Sequence, residues 1–209
     1  RVSFEAYENA FGRTCRAFRF GDHWMNEETF NLIERLGARY NLTVEPGLRP
    51  SAGGVPGEAW TGRFPDYAKV PRDPYKPARE DFRTRGDAHT ERDLWVIPVT
   101  TTRLPPWRAA PLYRRVIWRA RYGPRLFYPL SLELEPDQFK HSVNNLVQLG
   151  NARHLCVVVR TDVVLKRVGA AHLRENLELL LPRAVSGLLK LTTPAQLVAG
   201  RALIAHANP

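Results

Sequence analysis

Apolar residues change rhythm several times along this chain, from a spacing of three and four to short unbroken runs and back. That alternation predicts helices and strands in turn, the signature of an α/β fold. Residues Ser3 to Phe11 put Phe4, Tyr7 and Phe11 on one helical face, with Gly12 as the stop. A strand is predicted from Cys15 to Phe20 and a helix from Glu27 to Leu36. That helix has Asn26 as N-cap, Glu27 and Glu28 in its first turn, Phe30, Ile33 and Leu36 as a buried stripe with Leu32 alongside, and Gly37 at its end. A second strand runs from Tyr40 to Val44 and meets Pro46-Gly47; a third, Leu94 to Val99, is apolar on nearly every residue, as a buried strand is.

Later in the chain, Phe127 to Leu130 reads as extended, and Pro136 opens a helix with Phe139, Val143, Leu146 and Val147 inward and Gly150 as stop. Leu155 to Val159 is the clearest central strand in the pattern. A helix carrying Leu173, Leu177, Leu180 and Leu181 follows it, and Thr193-Pro194 starts a last helix toward Ala205. Two stretches break the alternation. Residues 48–93 hold many prolines and glycines, with aromatics at Trp60, Phe64, Tyr67, Tyr75 and Phe82. A segment that long is either a functional loop whose rings stack on sugars or an excursion whose rings pin it to the core. Residues 103–125 carry Arg103, Arg108, Arg114, Arg115, Arg119, Arg121 and Arg125 with no acidic residue between them, interleaved with Trp107, Tyr113, Trp118 and Tyr122.

Composition narrows the class. The 209 residues, 44% hydrophobic, suffice for one sizeable core. No apolar run reaches the length of a membrane span, and no basic leader followed by an apolar stretch opens the chain. It opens instead on Arg1, inside an amphipathic helix, with Met25 its only methionine, and so reads as a single domain over residues 1–209 that is incomplete at its N-terminus. The net charge of +10 owes much to the arginine-rich segment. That segment is either a helix displaying its arginines to water or a surface for an anionic partner, with Arg114, Arg115 and Arg119 at its centre. No RNA-binding motif accompanies it. Cys15 and Cys156 alone make neither a disulfide framework nor a zinc site, and buried free thiols are the plainer reading. The six histidines are scattered, and Asp87-x-His89 is a weak metal-ligand pattern on a loop.

The candidate chemistry collects at strand ends. Arg19 and Asp22-His23 follow the first strand; Arg160 and Asp162 follow the last. If the strands are parallel, these residues share one rim, where α/β proteins bind ligands.

The stretch Arg19 to Trp24 before an asparagine-started helix, Leu94-Trp95-Val96-Ile97-Pro98, Pro74-Tyr75-x-Pro77, the strand ending at Arg160, the leucine-rich helix and Thr193-Pro194 together resemble the later half of a polysaccharide deacetylase (NodB-homology) domain. The resemblance spans about Phe11 to Ala199 in separated patterns. It implies a partial or distorted (β/α) barrel of mostly parallel strands, and hydrolysis of acetyl groups on a glycan by water bound to zinc or a similar divalent metal. The family's metal ligands precede the arginine strand and have no counterpart in this chain, so the chain as it stands is expected to hydrolyse nothing. Arg19 matches the arginine that orients the catalytic base. Asp22, His23, Arg160 and Asp162 complete the candidate catalytic rim, and Trp24, Trp60, Tyr67, Tyr75 and Trp95 are the candidate sugar-binding rings. Two departures stand out. Arg160 occupies the place of a catalytic histidine and cannot release a proton near neutral pH, and Val44-Glu45-Pro46 lacks the tryptophan that lines the acetyl pocket. These departures also fit a non-catalytic carbohydrate- or envelope-associated module.

Overall fold

The computed structural model describes residues 1–21, 25–48, 66–102, 128–148 and 153–206. In chain order these form α1 (Val2–Phe11), β1 (Ala17–Phe18), α2 (Glu27–Arg35), β2 (Tyr40–Asn41), β3 (Trp95–Val96), β4 (Thr101–Thr102), β5 (Tyr128–Pro129), α3 (Pro136–Gln148), α4 (Thr161–Val164), α5 (Arg167–Val185) and α6 (Pro194–His206).

The helix ends follow the local chemistry of the sequence. Asn26 accepts the N–H of Thr29 at 2.8 Å and so caps α2, with Glu27 and Glu28 at the positive end of its dipole. Its far end closes on Gly37, whose φ of 85° needs no Cβ clearance. There the Ala38 N–H reaches Ile33 O and the Gly37 N–H reaches Glu34 O, the paired bonds of a Schellman turn. At α6 the cap is reciprocal: Thr193 Oγ1 accepts from Gln196 N at 3.3 Å, and Gln196 Oε1 accepts from Thr193 N at 2.9 Å.

β1, β2 and β3 form a three-stranded parallel sheet in that order, with Ala17 opposite Tyr40 and Tyr40 opposite Trp95. β4 and β5 pair antiparallel. Backbone bonding then continues from Thr100 N to Cys156 O and from Leu130 N to Thr100 O, while Val158 N donates to Leu130 O and Leu132 N to Val158 O around a parallel bridge from Ser131 to Val158. The arrangement is mixed α/β. Around Leu155 to Val157 the side chains are only half-buried, and Val159 is 48% exposed.

Two apolar clusters hold the elements. The first joins Phe30 and Ile33 of α2 to Val44, Tyr67, Val70, Tyr75, Phe82, Leu94 and Val96. The second gathers Leu130, Leu132, Phe139 and Val143, with Leu173, Leu179 and Leu180 packed against them. Leu177 and Leu181, read from the sequence as part of the same leucine stripe, lie instead on the exposed side of α5 at 42% and 54% exposure. Helix α1 buries no residue; only Phe4 leans on the first cluster, and Phe11 stays 62% exposed.

Residues 66–93 are an ordered excursion. Isolated bridges pair Tyr75 with Val96, Pro77 with Arg85 and Ala78 with Glu91. Arg92, only 2% exposed, fastens the excursion to α2. Its Nη1 reaches Asn31 Oδ1 at 2.6 Å and Glu34 Oε2 at 3.0 Å; its Nη2 reaches Glu27 Oε2 at 3.0 Å and Arg79 O at 2.6 Å; its Nε reaches Ala78 O at 3.3 Å. All five guanidinium N–H donors are thereby used. The other carboxylate oxygens of Glu27 and Glu34 accept the backbone N–H groups of Phe82 and Asp93.

Candidate functional site: the rim of Arg19, Glu45 and Glu133

The geometry of the rim begins with a misfit in β2. Ile97 N bonds to Asn41 O, but the next bond along β3, from Val99 N, goes to Val44 O. Two steps on one strand therefore match three on the other, which is a β-bulge, and bulges re-aim the side chains beyond them. The Asn41 side chain supports it by accepting the Thr43 N–H at 2.7 Å, and Thr43 Oγ1 in turn accepts the Phe20 N–H at 3.0 Å. Before the bulge Asn41 shares a face with Phe18 and Val96. The extra residue shifts the alternation by one, so Val44 joins Phe18, Phe20 and Val96 at the first cluster. Glu45 is turned to the opposite face, the face of Arg19.

There Arg19 Nη2 meets Glu45 Oε1 at 3.1 Å, with the arginine side chain 32% exposed and the carboxylate 0% exposed. A fully buried carboxylate is costly unless a cation and hydrogen bonds compensate it. Tyr67 lies close by: its main chain bonds Gly47 and Leu48, and burial, followed by the charge of Glu45, pushes its phenol above the ordinary value. Cys156 is also within the field of this pair; burial pushes its thiol up to about 11, with Arg19 opposing and Glu45 adding to the rise.

On the other side of the rim, Arg160 follows the 156–158 segment and binds Asp162 through Nε at 3.3 Å and Nη2 at 3.0 Å. This hydrogen bond holds the Asp162 carboxyl below its usual value. Glu133, at the end of the neighbouring Leu130–Leu132 segment, accepts the backbone N–H of Arg160. Burial pushes the Glu133 carboxyl up, while Arg160 and Arg19 pull it down and Asp162 adds to the rise. Arg19 and Asp162 thus act on one carboxyl from two strand ends. The structure joins Arg19 to Glu45 in one ion pair, and Arg160 to both Glu133 and Asp162.

Other sequence candidates are placed differently. Asp22, His23, Trp24 and Trp60 lie outside the described residues, as do Arg114, Arg115 and Arg119. Tyr67 and Tyr75 are both 0% exposed, so their rings offer no face to a sugar; this corrects their reading as stacking platforms. The Tyr75 hydroxyl donates to Phe82 O at 2.7 Å, and both rings belong to the first cluster. Trp95, half-buried, pairs with Tyr40 at the entry of the sheet. Through Tyr40 it is level with Ala17, two residues before Arg19, or roughly 7 Å along the sheet at about 3.3 Å per residue. Asp87 Oδ1 accepts from His89 N, Thr90 N and Thr90 Oγ1, so this acid serves its own turn.

Glu45 and Glu133 escaped the sequence reading as functional candidates. Glu133 carried a signal, because Leu130, Leu132 and Leu134 alternate with Ser131, Glu133 and Glu135 in the run that opens α3. Glu45 carried none, since its orientation depends on the bulge. Among the described residues, no group of three or more His, Cys, Asp or Glu side chains is placed to hold a metal ion, and no helix is long and apolar enough to cross a membrane. No family model, curated protein or solved structure matches the chain.

Proposed function

We propose that this chain is an arc of a polysaccharide deacetylase-like (β/α) barrel whose rim binds an N- or O-acetylated glycan, the hydrolytic chemistry belonging to a metal-bound water. The observation that supports this reading is Arg19, fixed just past the carboxyl end of a strand in a parallel sheet by its ion pair with buried Glu45. Charged donors and acceptors converging at that edge suit a polyhydroxylated ligand. The divalent metal of such a domain polarises the acetyl carbonyl and activates water. The described residues do not fit a metal, lacking any three-ligand group. Their own contribution is to bind and orient the sugar.

The test is calorimetry of this chain with N-acetylglucosamine oligomers, with acetate release followed in parallel after adding zinc or cobalt. Binding without acetate release is the expected result. Arg160→Gln, at a side chain 65% exposed and therefore safe for folding, should weaken that binding about tenfold. Failure of the wild-type chain to bind any acetylated oligosaccharide would overturn the reading. A second reading, a carbohydrate-binding module without catalysis, draws on the commitment of the Arg160 guanidinium to Asp162. Glycan binding by the longest natural form of the protein with no metal-dependent turnover would favour it.

A further inference from the structure

Away from the rim, α2 and the 66–93 excursion enclose a cavity of about 410 Å³. Asn31, Glu34 and Arg35 line it from α2, and Arg79 and Arg92 line it from the excursion. It lies toward the other end of the sheet from Arg19, because Glu34 binds the N–H of Asp93, two residues ahead of β3. Its polar side chains can be accounted for one at a time. Arg92 has spent all five of its donors. Both oxygens of Glu34 accept, Oε2 from Arg92 Nη1 and Oε1 from Asp93 N, each at 3.0 Å. Asn31 Oδ1 accepts from Arg92 Nη1, which leaves the amide nitrogen of Asn31 to donate. Arg35 commits only Nε, to Asn31 O at 3.3 Å, and keeps both terminal nitrogens. Arg79 is anchored through its main chain, its N–H to Thr90 O and its carbonyl to Arg92 Nη2. Among the described residues, the Arg79 guanidinium makes no ion pair or hydrogen bond.

We infer that this cavity binds a tetrahedral oxyanion, a phosphate or sulfate group, between Arg35 and Arg79. Donors are left over on both walls, while every side-chain acceptor in the lining already holds a donor. The lining carries three guanidinium groups against one carboxylate. The nearby acids are sorted elsewhere: Glu27, Glu80 and Asp81 line a separate cavity of about 310 Å³. Two guanidinium groups facing one cavity repel each other, and an anion between them turns that repulsion into attraction. Their planar forks match the oxygens of phosphate in pairs. With the Asn31 amide as a third donor, the arrangement suits a group with three or four outward oxygens better than a planar carboxylate with two. This inference does not depend on the glycan reading.

The test is nitrogen-15 NMR of the whole chain, following the side-chain Nε–H signals of Arg35 and Arg79. Sodium phosphate is titrated in at constant ionic strength, with sodium chloride as the balance. Both signals should shift and saturate with phosphate and stay still in chloride alone. Sulfate should do the same, and acetate should bind more weakly. Arg35→Gln and Arg79→Gln should each weaken phosphate binding about tenfold, the worth of one charge-assisted hydrogen bond. Both side chains are exposed, so neither change threatens the fold. Arg174→Gln, an exposed change on α5, should leave the affinity as it was. Glucose 6-phosphate decides the source of the group: tighter binding than inorganic phosphate supports an ester ligand, and weaker binding supports the free ion. Shifts that never saturate, or that chloride reproduces, overturn the inference. So does a loss in Arg174→Gln equal to that in Arg79→Gln, or acetate binding as tightly as phosphate. Should a variant fail to fold, the wild-type titrations against chloride and acetate still decide the matter.

Discussion

Replacing Arg92 with methionine should cost this fold about 3 kcal/mol, the lower end of what removing one partner from a buried ion pair costs. Methionine retains much of the aliphatic stem, so the loss falls on the guanidinium. That group is 2% exposed and donates to two carboxylates, one side-chain amide and two main-chain carbonyls. The lower end applies because water can reach the acids left behind: the Glu27 and Glu34 side chains are 35% and 21% exposed. The carbonyls of Ala78 and Arg79 also lose their donor, and an unsatisfied buried acceptor costs about 1–3 kcal/mol. Urea unfolding followed by circular dichroism is the assay. With a slope of roughly 2 kcal/mol per molar urea, the midpoint should fall by about 1.5 M at unchanged slope. In a Glu34→Gln background the same substitution should cost about 1–2 kcal/mol less, because part of the interaction is already gone. A midpoint shift below about 0.3 M, or strict additivity with Glu34→Gln, would refute the claim that Arg92 ties the 66–93 excursion to α2.

Three further outcomes follow from the rim. Arg19→Met should destabilise by about 3 kcal/mol and Glu45→Gln by less, because the first strips a guanidinium from a 0%-exposed carboxylate and the second leaves an arginine that water reaches; equal losses in urea unfolding would contradict the burial argument. Gly169→Ala should loosen α4 and with it Asp162, since a Cβ at Gly169 would lie 2.1 Å from Val163 O; the overpacking should cost about 1–3 kcal/mol, and an unchanged melting curve would sink it. For Glu133, whose carboxyl is raised in the folded state, the native chain holds more protons than the unfolded one between the ordinary and the raised value. Stability should therefore decline as pH rises through that window, and Glu133→Gln should flatten the decline; a wild-type curve that rises through it would contradict the sign.

Local chemistry was legible in the residues themselves. Asn26, Glu27, Glu28 and Gly37 bound α2 through bonds within a few positions of one another, and Thr193 with Gln196 does the same for α6. Apolar runs at Tyr40 and Leu94 specified strands because a sheet buries whatever alternates or runs unbroken. Which side chains meet was another matter. Tyr67 and Tyr75 look the same in a sequence whether they stack on sugars or fill a core, and only the packing of the excursion against α2 made them core. Arg92 gave no local sign of its five bonds, since its partners lie on α2 and on the excursion itself. Glu45 faces Arg19 because one extra residue in β2 reverses the alternation beyond Asn41, a mismatch that exists only between two paired strands. The sequence determines where helices and strands begin and end, because caps and periodicity act over short range. The tertiary structure decides which charges share a rim, because burial and register are properties of segments brought together from far apart in the chain.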